Sequence, residues 1–272
     1  VGDKAEVKLL LNSGVETHNY EPTPKDMITI NNSDIFLYTG DDLEPWTKSI
    51  INSIENNCAI IDVSEGIDLI KIEEFESRHI NKINNIEKQP KEHEHNHSHE
   101  EIYDGHIWLN PKNAIKMIDN ITNAICSIDA LNEKYYRENA EKYKNEILNL
   151  DLKLEEIVNN SKSKEIAVGG EFAYAYLVDR YEINFVSVYN NCGDGEDPSI
   201  AKVKSVIDYM NTNNIKTVFY EELTEGTVAK MIAEETKAES LVLYSIHNAD
   251  AFKDTYVSLF EKNIENLKKA LD

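Results

Sequence analysis

Residues 164–188, KEIAVGGEFAYAYLVDRYEINFVSV, hold two short β-branched and aromatic runs, Ile166-Ala167-Val168 and Ile183 to Val188, separated by an amphipathic stretch of helix length. Two further runs, Ile215 to Tyr220 and Leu241 to Tyr244, repeat the pattern, each with a helix-length segment behind it. Alternation of this kind predicts a four-stranded parallel sheet covered by helices. Pro198 falls near the start of the second of these helices, where a missing N–H costs nothing.

The first half repeats the scheme less regularly. Strands are expected at Val7 to Leu11, Asp34 to Tyr38 and Ala59 to Val63, with helices after Pro24, Pro45 and Pro111. Between the halves, apolar positions at Tyr136, Ala140, Tyr143, Ile147, Leu150, Leu154 and Ile157 step by three and four residues with no Gly or Pro between them. This spacing predicts one helix over roughly 129 to 158. About 30 residues at 1.5 Å each would extend ~45 Å, enough to run along both halves. The chain is thus expected to be α/β, with two lobes that each hold a parallel sheet flanked by helices, joined by one long rigid helix. The divisions fall at 1–128, 129–160 and 161–272.

A chain of 272 residues suits two domains of ordinary size. Its 50 acidic against 28 basic side chains, a formal charge of −22, oppose contact with nucleic acid or anionic membrane surfaces and permit a cationic ligand. Three cysteines, Cys58, Cys126 and Cys192, are too few and too scattered for a disulfide scaffold or a cysteine zinc ribbon. Cys58 and Cys126 lie in apolar runs and are expected in the core; Cys192 is open to a packing role or a thiol near a site. No apolar run is long enough to span a bilayer, and Val1-Gly2-Asp3-Lys4 leads straight into a strand-like run without a charged n-region and apolar h-region, as expected where an upstream segment has been removed or is not part of this sequence.

Four residues are candidates for metal chemistry. His18 lies in GVETHNYEP (14–22), between the first expected strand and the first helix. His106 lies in DGHIWLNP (104–111), a Gly-flanked turn feeding a helix. Glu171 follows Gly169-Gly170 at the end of a strand, and His247 lies just beyond the last one. In open α/β sheets ligands bind outside the carboxyl ends of the strands, and His18, Glu171 and His247 are expected there. Three imidazoles and one carboxylate lean toward zinc, with manganese as the alternative. A separate polar segment, 87–101, carries His93, His95, His97 and His99 at alternate positions; it reads as a mobile loop and an auxiliary, weaker metal site.

The motifs GVETHNYEPTP (14–24) and DGHIWLNP (104–111), with a histidine-rich stretch just ahead of the second, resemble the cluster A-I solute-binding proteins of metal ABC importers, the zinc and manganese uptake family. The similarity continues through TGDDLEPW (39–46), the long helix, VFYEE (218–222) and Tyr256 to Leu271. It implies two α/β lobes bridged by a rigid helix, one metal between them, and delivery to a membrane permease by a monomeric, extracytoplasmic protein, either periplasmic or a cell-surface lipoprotein. It also implies that His18 and His106 are first-lobe ligands and that Glu171 is the third, as in manganese-type members. The fourth is ordinarily Asp or Glu; this chain offers His247 there, with Asp250 and Glu222 nearby. The family's opening strand and helix lie ahead of the part that matches Gly2-Asp3-Lys4 and are not in this sequence.

A nucleophile elbow and a phosphate-cradling glycine loop are both missing from the sequence, which favours a binding protein. The alternatives are a zinc hydrolase, with Glu221 or Glu222 as base beside a metal-bound water, and a surface adhesin with a structural metal.

Overall fold

The structure is a computed structural model that describes residues 1–11, 17, 20–54, 58–83, 102–189, 198–222, 224–247 and 253–272. Its first half contains α1 (Pro24–Asn31), β1 (Ile35–Tyr38), α2 (Thr47–Ile51), β2 (Ala59–Asp62), α3 (Ile72–Ile83) and, after a 3-10 turn at Ile107–Leu109, α4 (Pro111–Ile128). Local chemistry sets the helix starts. Thr23 and Asp26 cap α1 reciprocally with Pro24 at its first position, and Asn110 accepts the Lys112 N–H at 3.0 Å ahead of Pro111.

The expected helix between the halves is α5 (Glu133–Asn160), entered through a 3-10 turn at Ala130–Asn132. Its 28 residues extend ~42 Å, and it buries Tyr136, Ile147, Leu150, Leu154 and Val158. α5 is tied to α4 by Lys144–Asp119 at 2.7 Å.

The second half continues with β3 (Glu165–Val168), α6 (Ala175–Tyr181), β4 (Asn184–Ser187), α7 (Ile200–Asn213), β5 (Thr217–Tyr220), α8 (Thr227–Thr236), β6 (Glu239–Val242) and α9 (Tyr256–Leu271). Its sheet is parallel throughout, in the order β4-β3-β5-β6. The order reverses between β3 and β5, which makes their carboxyl ends the topological switch point. One face of this sheet packs on Leu150, Leu154, Tyr174, Leu177, Phe260 and Leu267, the other on Val203, Val206, Met210, Ala229 and Ile232. Arg180 of α6 joins α5 through the fully buried Asp151 at 2.7 Å, and Tyr181 Oη donates to the other Asp151 oxygen at 2.9 Å.

Two features depart from the sequence reading. Val7 to Leu11 forms no strand among the described residues: β1 and β2 pair only with each other, Val7 and Leu9 face solvent, and Leu10 and Leu11 pack beside Phe36 and Trp46. Alternation alone gives no ladder without a partner strand. The last strand ends two residues earlier than expected, although Leu243 remains buried and its N–H bonds Tyr220 O at 2.9 Å. Cys126 is buried and Cys58 half-buried, neither in a disulfide, while Cys192 lies outside the described residues.

The apolar core does not stop at the boundary between the halves. Phe75, Ile107 and Leu109 belong to the same cluster as β3, α6 and α9. Polar groups cross there too: Tyr176 Oη donates to Asp104 O and accepts the Ile70 N–H, both at 3.0 Å, and Tyr256 Oη donates to Trp108 O at 2.8 Å.

Candidate metal centre

His106 sits at the head of the 3-10 turn and is 3% exposed. One oxygen of Asp104, itself buried, accepts both the His106 backbone N–H at 2.7 Å and ring Nδ1 at 2.8 Å. A carboxylate on Nδ1 holds the neutral ring in the tautomer whose Nε2 carries the lone pair, as metal ligation needs. Gly105 permits the approach: a Cβ there would lie 2.9 Å from the Leu43 backbone nitrogen, closer than real contacts allow.

His247 arrives from beyond β6 and meets His106 with ring centroids 4.5 Å apart and planes inclined at 46°. Trp108 flanks both imidazoles at 5.7 and 5.2 Å, and its Nε1–H donates to Ser245 O at 2.9 Å. Two imidazoles from halves that are 141 residues apart in sequence are thus packed against one indole. Ile246, just before His247, has φ +59°, a left-handed conformation that costs a β-branched residue ~1–3 kcal/mol.

Glu171 follows the Gly169-Gly170 turn at the carboxyl end of β3 and is half-buried. Glu221 lies beside it at the end of β5, so close that a Cβ at Gly170 would run into its carboxylate. Burial raises the pKa of Glu221, and the neighbouring Glu171 charge adds to that effect; its Oε2 is buried with no hydrogen bond. Two carboxylates at a switch point favour a cation electrostatically.

The four sequence-selected residues are brought together only in part. His106 and His247 meet, and Glu171 stands on the switch-point edge of the same half as His247. Among the described residues, however, no group of three or more His, Cys, Asp or Glu side chains is close enough to hold a metal ion. His18, the auxiliary His93, His95, His97 and His99, and Asp250 lie outside the described residues. The neighbours of His18 are held: Trp46 Nε1–H donates to Thr17 O at 3.1 Å, and Tyr20 packs edge-on against Trp46 at 5.2 Å. Glu222 is occupied elsewhere, with both oxygens accepting from Ser245 and Ile246.

Sequence reasoning missed Asp104, Ser245 and Trp108. An acidic residue two positions before a histidine was a visible signal for the first. Nothing local points to the other two.

The profile of the family described as the periplasmic zinc-uptake complex component A matches residues 1–270. The high-affinity zinc uptake system protein ZnuA of Bacillus subtilis is 30% identical over 282 residues, covering all of this chain and 82% of that protein. The zinc-binding protein AdcA of Streptococcus pyogenes is 27% identical, and the chain spans about half of its length, 53%. The crystal structure of the metal-dependent lipoprotein YcdH from Bacillus subtilis superposes with a TM-score of 0.79 at 27% identity, over 99% of this chain and 92% of that one.

Proposed function

Since the chain belongs to the family of the periplasmic zinc-uptake component, we propose that it captures a single zinc ion between its halves through His18, His106, Glu171 and His247, and releases it to the membrane permease of an ABC importer. Family membership makes it a binding component of a transport system and not a hydrolase. The observation that carries the ligand assignment is the contact of His106 with His247, with Asp104 fixing the His106 tautomer.

Three imidazoles and one carboxylate suit four-coordinate zinc at about 2.0–2.2 Å per bond. Manganese, the alternative cargo, ordinarily wants more oxygen donors. The family's pattern places an acidic residue where His247 stands, and Glu171 supplies a carboxylate at the third position, so the net charge of the ligand set is retained with the two residue types exchanged. The protein works outside the cytoplasm as a monomer. Its charge of −22 raises the local concentration of cations, within roughly 8 Å of the surface at physiological salt. The segment 87–101 acts as a low-affinity collector through its four alternate histidines.

Competition titration with a zinc chelator tests the assignment. His18→Ala, His106→Ala, Glu171→Ala and His247→Ala are each expected to weaken zinc binding by about two orders of magnitude or more, whereas excision of 87–101 leaves the tightest site intact. Wild-type affinity in both His106→Ala and His247→Ala would overturn the assignment, and loss of the tight site on excising the loop would place it there instead.

A further inference from the structure

Asp104 orients His106 by touching its ring. What holds the His247 backbone is Glu222, at the carboxyl end of β5. Its Oε2 accepts the Ser245 N–H at 2.7 Å, and its Oε1 accepts both the Ser245 hydroxyl and the Ile246 N–H at 2.9 Å. The Ser245 hydroxyl oxygen in turn accepts the His247 N–H at 3.4 Å. Ser245 is 5% exposed, and its carbonyl takes the Trp108 indole N–H from the other half. The left-handed Ile246 sits in the middle of this clamp. Bonds to an ionised acceptor are the strong ones, and a strained residue persists only where its surroundings over-determine it.

We propose that Glu222 is the positioning residue for the fourth ligand: by fixing Ser245 and Ile246 it presents the His247 imidazole to His106, and it does not itself take the metal. This rests on the reading of His247 as a ligand. A carboxylate at the switch point would otherwise be the natural oxygen donor; here both of its oxygens are committed to three protein donors. The exchange of a carboxylate for an imidazole at the fourth position is thereby given a rigid base.

The test uses the full chain, with zinc competition titrations and the visible absorption of the Co2+-loaded protein, on Glu222→Ala, His247→Ala and the double variant. Glu222→Ala is expected to bind zinc about 10–100-fold more weakly, as loss of an outer-shell partner does. The double variant should then be no weaker than His247→Ala within about threefold, because the two act through one contact to the ion. The cobalt spectrum of Glu222→Ala should move toward that of His247→Ala, which a general loosening of the fold would not produce. Glu222→Gln, whose single amide oxygen can accept only part of the set, should lie between wild type and alanine.

Weak binding by His247→Ala with wild-type affinity and spectrum in Glu222→Ala overturns the proposal alone. Wild-type affinity in His247→Ala overturns the ligand reading, and the proposal with it. If Glu222→Ala does not fold, Ser245→Ala takes its place: it deletes the hydroxyl link and keeps two of the clamp's bonds, and it too must weaken zinc and shift the spectrum.

Discussion

The two sheets are buried to very different depths. In β1 and β2 Phe36 is the one buried residue, and the small core above it consists of Ile30, Phe36, Trp46 and Ile50. β3 and β5 are each buried at three of four positions, with an apolar layer on both faces of their sheet. The His106 turn belongs by sequence to the first half but packs into the core of the second. His106 and His247 therefore stand on one well-packed body, and Trp46 and the sheet of β1 and β2 stand on a thinner one. Stability is not uniform across such a molecule, and the side with fewer buried contacts opens more easily. Zinc capture should accordingly order the thin side against a preformed pair of imidazoles.

The largest expected effect breaks the thick side. Asp151→Ala would leave Arg180, 12% exposed, next to the position of a lost buried partner, and the Tyr181 hydroxyl would lose its acceptor as well. Because Glu155, 3.1 Å away, still pairs with Arg180, a loss of about 3 kcal/mol in urea unfolding is expected. On the thin side the exposed pair Lys48–Asp41, 3.5 Å apart, should be worth less than ~1 kcal/mol on Lys48→Ala. Equal losses would deny the contrast.

A middle-sized effect sharpens it. Ile30→Ala should cost about 2 kcal/mol, the low end for a buried isoleucine because its cluster is small and can collapse. Hydrogen exchange should quicken in α1 and β1 while the amides of β3 and β5 keep their protection. Uniform quickening would mean that the halves open as one unit.

The smallest effect is electrostatic. Glu44 lies beneath β1, accepting the Thr39 N–H, and burial raises its pKa. A carboxyl that holds its proton more tightly when folded contributes stability at low pH that is lost as pH rises through the folded value. Glu44→Gln, which removes the charge and keeps an acceptor oxygen, should raise the melting temperature by roughly 1–3 °C at pH 7. The gain should vanish below about pH 4, and a gain that grows on acidification would reverse the assigned cause.

The second sheet was readable because strands buried on both faces are written as continuous apolar runs, such as Ile166-Ala167-Val168. The long helix was readable from its three-four spacing, apart from the 3-10 turn at its entrance. Val7 to Leu11 mimics a strand because alternation encodes two faces and says nothing of a neighbour to pair with. α3 went unanticipated because IEEFESRHINKI has few apolar positions, and its main anchor, Phe75, stacks on Phe172 and Phe185 from the other half. For the same reason His106 and His247 could be picked out as chemistry-bearing residues, yet their 4.5 Å contact and the Glu222 clamp could not: both arise where segments distant in sequence converge.

The tryptophans make this convergence optically accessible. The chain has two, Trp46 bonded to the carbonyl next to His18 and Trp108 lying against His106 and His247. Indole emission responds to the charge and polarity around the ring, so each half of the proposed site carries its own unlabelled chromophore. Trp46→Phe leaves the indole emission of Trp108, beside the imidazole pair, and Trp108→Phe leaves that of Trp46. Rapid mixing of the two single-tryptophan proteins with zinc would therefore time which of the two indole environments responds to the ion first.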